Sequence, residues 1–142
     1  MRRLQHERGS ATLELVIWAP VLLIIASVIL LAGRVAQASQ TVEVAATEAA
    51  RAASSAATVQ QARSRALDAA EASLASSGLR CGRTAVDVDT SQWRRPPGTP
   101  ARVQATISCD VSLGDLAIPL ASGTRTVTGR ASSAIDTYRQ RP

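Results

Sequence analysis

Residues 9–33 read GSATLELVIWAPVLLIIASVILLAG, and from Leu15 to Gly33 nineteen consecutive residues carry no charge. At about 1.5 Å per residue a helix of that length covers about 28 Å, against about 30 Å of bilayer hydrocarbon, so the stretch predicts one transmembrane helix. Arg2, Arg3 and Arg8 precede it and only Arg34 follows closely. By the positive-inside bias the leader is expected in the cytoplasm and everything beyond Gly33 outside, which makes a single-pass protein of the cytoplasmic membrane. Glu14 stands at the mouth of this span. An ionisable group at full depth in hydrocarbon costs about 2.5 kcal/mol or more, so a carboxylate in that place calls for a partner. Pro20, inside the span, cannot donate to the carbonyl of Val16, and the helix is expected to loosen there.

Composition narrows the function. The 142 residues include sixteen Arg and no Lys, with a net charge of +5. Deleting residues 1–9 removes three Arg and one Glu and leaves +3, too small an excess for a nucleic-acid footprint. The single His, His6, lies in the leader, so the rest of the chain has no imidazole for base catalysis or metal binding. Asp87, Asp89, Asp110 and Asp115 stand without a nucleophile motif or a Gly-rich phosphate loop. No enzyme, cofactor, metal site or nucleic-acid partner is expected.

Beyond the span the sequence changes character twice. From Arg34 to Ser77 it is rich in Ala and free of Gly and Pro, the composition of helix. Val35, Ala38, Val42, Ala45, Ala49, Ala52, Ala56 and Val59 recur at alternating steps of three and four, one stripe of small residues able to meet either a neighbouring subunit or the protein's own sheet. A break is expected near Ser54-Ser55, because Thr58-Val59-Gln60-Gln61 has the form of a capping box. The helix after it would bury Ala62, Ala66, Leu67, Ala70 and Leu74, pair Arg65 with Asp68, and end at Gly78. Whether the two helical pieces make a bent rod or a hairpin stays open at this level.

After Gly78 the period becomes two. Val103, Ala105, Ile107, Cys109, Val111 and Leu113 alternate with polar residues, a half-buried strand. Arg80–Thr90 reads as its antiparallel partner across the turn-rich Trp93-Arg94-Arg95-Pro96-Pro97-Gly98, and a third strand is expected from about Thr124 to Ala131, joined through Leu116–Leu120. Trp93 is expected to pack at an edge. Cys81 and Cys109 both fall on the outward, oxidising side of the membrane, so a disulfide between them is predicted. Simple parity then turns Asp87 and Asp89 inward instead of Val86 and Val88, a conflict that a bulge at Gly82 would remove.

The run Glu7-Arg8-Gly9-Ser10-Ala11-Thr12-Leu13-Glu14-Leu15, followed by Pro20, Leu22, Leu23, Gly33-Arg34 and Glu48-Ala49-Ala50-Arg51-Ala52-Ala53, resembles the opening of the TadE-like family, the minor pseudopilins of tight-adherence (Flp-type) pilus systems. The resemblance covers residues 7 to about 53. It implies a class III leader cut by a prepilin peptidase between Gly9 and Ser10, with Glu14 as fifth residue of the mature chain and a part in subunit assembly. The new α-amine, with a pKa near 8, is cationic at pH 7, and a carboxylate one helical turn further on can compensate it in its own chain or in a neighbour. Other pilins or pseudopilins and pilus assembly proteins become the expected partners, with self- or hetero-association through helices. Leu15 stands where major Flp pilins often carry an aromatic residue, and 142 residues far exceed those short subunits, so the resemblance is to a minor pilin.

The expected architecture is therefore α+β: leader 1–9, transmembrane helix 10–33, Ala-rich extracytoplasmic helical region 34–78, and a small antiparallel β domain at 79–142. Two other readings follow from the same residues. Ala36-Gln37-Ala38 has the small-x-small form read by signal peptidase, and a cut after Ala38 would release a secreted domain. Without any cut, the chain would be a bitopic membrane protein with an extracytoplasmic interaction domain and Glu14 among the headgroups.

Overall fold

The computed structural model describes residues 8–96, 98–112 and 123–136, with side chains from Glu14 onward. Residues 1–7 of the leader, Leu113, Asp115 and the Leu116–Leu120 connection lie outside the described residues. The architecture is α+β, in the order α1 (Arg8–Ser54), α2 (Val59–Ser76), β1 (Thr84–Asp89), a 3-10 turn (Ser91–Arg94), β2 (Ala101–Ser112) and β3 (Thr124–Ile135). The chain divides into two compact units, Met1–Val35 and Ala36–Pro142, so α1 contributes to both.

In the first unit the described residues are all helix. α1 passes through Pro20 without a break, because one missing hydrogen bond does not end a helix whose other turns are intact. Ser27 returns its hydroxyl to the carbonyl of Leu23 at 2.7 Å, which leaves no polar group of that side chain facing outward.

The second unit is a three-stranded antiparallel sheet, ordered β1-β2-β3, with helices on one face. β2 buries alternate residues along its whole length: Ala101, Val103, Ala105, Ile107, Cys109 and Val111 face the helices. Pairing fixes the neighbours, with Val86 and Val88 opposite Ile107 and Ala105 on one side and Val127, Gly129 and Ile135 opposite Cys109, Ile107 and Ala101 on the other. The outer face is polar and ties itself across directly paired positions. Ser108 and Thr128 share a hydrogen bond of 3.3 Å, and the Thr126 hydroxyl donates to Asp110 at 2.6 Å.

The helices cover the inner face with Ala. From α1 the buried residues are Ala38, Val42, Ala45, Ala46, Ala49, Ala50 and Ala53, with Ala56 just beyond. The predicted single stripe is thus too narrow. Ala52, Val35 and Val59 are only half-buried, and Ala46, Ala50 and Ala53 take their place. A flat sheet contacts a wider arc of a helix than another helix does, and 3.6 residues per turn drifts away from a 3.5 repeat within three turns. The stripe meets the protein's own sheet. On β3 the residue beneath it is Gly129, where a Cβ would stand 2.6 Å from the Val42 carbonyl oxygen and 2.7 Å from the Glu43 nitrogen.

Four residues separate the two helices, and they form a hairpin. Ser54 at the end of α1 shares a 3.0 Å hydrogen bond with Ser133 near the end of β3, whereas α2 leads on to Cys81, bonded to Cys109 far along the sheet. Thr58 is the N-cap of α2, its hydroxyl accepting from the Gln61 N–H at 3.2 Å. Gln61 reaches back as expected, but its Oε1 takes the N–H of Ala57 at 2.9 Å, one residue further than a capping box requires. Arg65 turns to Ser55 instead of Asp68, donating to its carbonyl at 3.4 Å and so closing the end of α1. Ala62, Ala66, Ala70 and Leu74 are buried, while Leu67 is exposed, being one residue past the four-residue ridge that faces β1. α2 ends at Ser76 with Ser77 as its C-cap, and Gly78 follows at φ 71°, the left-handed position that a side chain would strain.

Candidate functional site

The predicted site residues fall in two places. Gly9, Ser10 and Glu14 lie in the first turns of α1, with Ser10 and Glu14 four positions apart and hence about 6 Å apart along the axis. Glu14 is exposed, at the head of an apolar surface. Twelve large side chains between Leu15 and Leu30 are exposed, from 41% at Val21 to 72% at Val16. At about 1.5 kcal/mol or more for each such side chain left in water, they would cost on the order of 20 kcal/mol. That exceeds the about 5–15 kcal/mol of stability of a typical domain. This helix is long and apolar enough to cross a membrane, and among the described residues none of its most apolar stretch is buried.

Cys81 and Cys109 are joined as a disulfide, their Cα atoms 5.3 Å apart. The parity conflict is resolved at Gly82 and Arg83. Both stand opposite the single residue Asp110, which accepts from the Gly82 N–H at 2.8 Å and donates to the Arg83 carbonyl at 3.0 Å. Two residues against one is a bulge, and it lets Cys81 reach the buried Cys109 while Val86 and Val88 still face inward. The bridge closes 28 residues of chain. In the chain-entropy account this stabilises the fold by about 3–4 kcal/mol.

The turn after β1 is more ordered than its composition indicated. Asp89 accepts the Ser91 N–H at 2.8 Å, a 3-10 turn follows, and Trp93 packs inward as expected, buried at 6% exposure. The Ser91 backbone bond first, and the Ser91 hydroxyl second, hold the Asp89 carboxyl below its ordinary value. Gln92 Oε1 takes the N–H of Arg102 at 3.0 Å, finishing that end of β2 where β1 no longer covers it. Asp87 lies exposed and Asp110 half-buried on or beside the polar sheet face. Among the described residues no three His, Cys, Asp or Glu side chains gather as metal ligands would.

These features define a class: an α+β protein whose single long N-terminal helix begins as an exposed apolar span and ends as the lid of a small disulfide-bonded sheet. Residues 9–51 match the family described as TadE-like protein, so the chain carries a TadE-like segment that coincides with α1 from Gly9 to Arg51. The match stops before α2 and the sheet. Compared with the characterised proteins and with the solved structures, the chain matches none.

Proposed function

We propose that the chain is a minor pseudopilin of a tight-adherence pilus system, a structural component of pilus assembly or secretion and not an enzyme. The observation that carries this reading is where the family match begins: its first residue is Gly9, the residue before the expected cut. A prepilin peptidase at the cytoplasmic face would hydrolyse the Gly9–Ser10 bond, leaving Ser10 as a charged amine at the membrane edge. Glu14, one turn along the same helix, compensates that amine in its own chain or in an adjacent subunit, and pairing removes two isolated charges from lipid at once. In an assembly such a pair fixes how far one helix is shifted along the next. The small β domain faces the extracytoplasmic side, where its disulfide persists.

A cut after Ala38 is the competing process. It would fall inside α1 and separate the buried Ala38 from Val42, the residue seated on Gly129. Mass spectrometry of the protein's N-terminal peptide, isolated from membranes, distinguishes the outcomes. Ser10 as first residue supports the pseudopilin; Ser39, or an intact leader, overturns it.

A further inference from the structure

The two edges of the sheet carry opposite charge. β1 contributes Asp87 and Asp89 and no base, whereas β3 contributes Arg125 and Arg130 and no acid. Among the described residues each of these strands pairs only with β2, so each has one edge that no strand covers. The six residues of β1 and the twelve of β3 are all free of Pro. Each edge also leaves one apolar inner-face residue half-buried, Val86 on β1 and Ala131 on β3. An uncovered strand edge is a template for another strand, and its charges choose which one.

We infer that β3 of one copy of this chain takes β1 of a second copy as its next strand, in parallel, so that the sheet continues from copy to copy. Electrostatics disfavours the pairing of like edges. β3 against β3 sets Arg against Arg, and β1 against β1 sets Asp against Asp, both of which destabilise a strand pair. A second copy in the same orientation presents its β1 in the required direction, since β1 and β3 each run antiparallel to β2 and are therefore parallel to one another within a copy. A register exists that satisfies both faces. Placing Asp87 opposite Arg130 on the polar face brings Ala85 opposite Thr128, and on the inner face it sets Val86 beside Gly129 and Val88 beside Ala131. The small inner residues of β3 then receive the larger ones of β1, and the two half-buried apolar positions are covered. Because the two surfaces differ, the contact is head-to-tail and builds an open array instead of closing as a two-fold dimer. An uncut chain carries the same edges, so the contact stands or falls separately from processing at Gly9.

Cysteine crosslinking of the full-length chain in membranes tests it. A chain carrying both Ala85→Cys and Thr128→Cys, mildly oxidised, should give a ladder of covalent oligomers on a non-reducing gel, while either single variant stays monomeric. Adding Asp87→Arg should weaken the ladder by about tenfold, through repulsion where attraction stood. Reversing the partner as well, Asp87→Arg with Arg130→Asp, should restore it, which a merely misfolded chain would not do. Absence of the ladder, dimers formed equally by a single variant, or a ladder indifferent to the charge reversals would each overturn the inference.

Discussion

Gly129 lies so close beneath Val42 that a Cβ there would come within 2.6 Å of the Val42 carbonyl oxygen, a backbone atom that no rotamer change can move. The α1–β3 spacing is therefore set by the absence of one carbon. Gly129→Ala should lower the stability of the sheet domain by about 1–3 kcal/mol, at the upper end of overpacking effects. Gly82→Ala is the matched control, since its Cβ would meet only the Asp110 carbonyl oxygen at 3.5 Å, and it should be near neutral. Urea denaturation of both variants in detergent checks the contrast, and equal midpoints would refute it.

The Cys81–Cys109 bridge should matter more than any single side chain of the thin, Ala-built core. Cys81→Ser, or reduction of the native protein, should cost about 3–4 kcal/mol and bring protease cleavage within the hairpin of β1 and β2. The Cys81 position suits this test because it is only half-buried, so the serine hydroxyl keeps access to water.

Thr58 and Gln61 together satisfy two N–H groups at the start of α2. Thr58→Ala should destabilise by about 1 kcal/mol, and Gln61→Ala by about half of that because the Ala57 N–H it leaves is exposed to water. Thermal melts of the two variants would order them, and a larger loss at Gln61 would contradict the geometry.

Asp89 offers a pH-dependent probe of the turn that buries Trp93. Its folded pKa lies below the ordinary 3.8, so its stabilising contribution is complete above that value and is lost as pH falls through the folded pKa. Carboxyl NMR should place the Asp89 midpoint below 3.8, and Ser91→Pro, which removes the donor N–H, should return it toward the ordinary value. A midpoint unmoved by that substitution would assign the shift to another cause.

Processing gives the last expectation. Gly9→Ala should leave the leader attached, visible as a protein heavier by residues 1–9, whereas Glu14→Ala should be cut normally and fail to assemble. Normal assembly of the Glu14 variant would remove the proposed role of the carboxylate.

Much of this fold is written in local pattern. The uncharged run to Gly33, the period-two alternation of β2, the Thr58 cap and the disulfide are properties of single segments or of compartment, and each can be read one residue after another. Even the bulge at Gly82 follows from the parity of two cysteines. Other features depend on which segments meet. Gly129 reads as an ordinary strand glycine until α1 lies on it, and Arg65 as a partner of Asp68 until the hairpin brings Ser55 near. The width of the Ala face was likewise decided by the flat sheet beneath it. Amino-acid order alone determined the apolar span, the strand faces and the crosslink, because periodicity and hydropathy belong to one element at a time. Only tertiary structure decided the helix-to-sheet contact at Val42 and Gly129 and the opposed charges of the two sheet edges, because distances between backbones remote in sequence exist only once the chain has closed on itself.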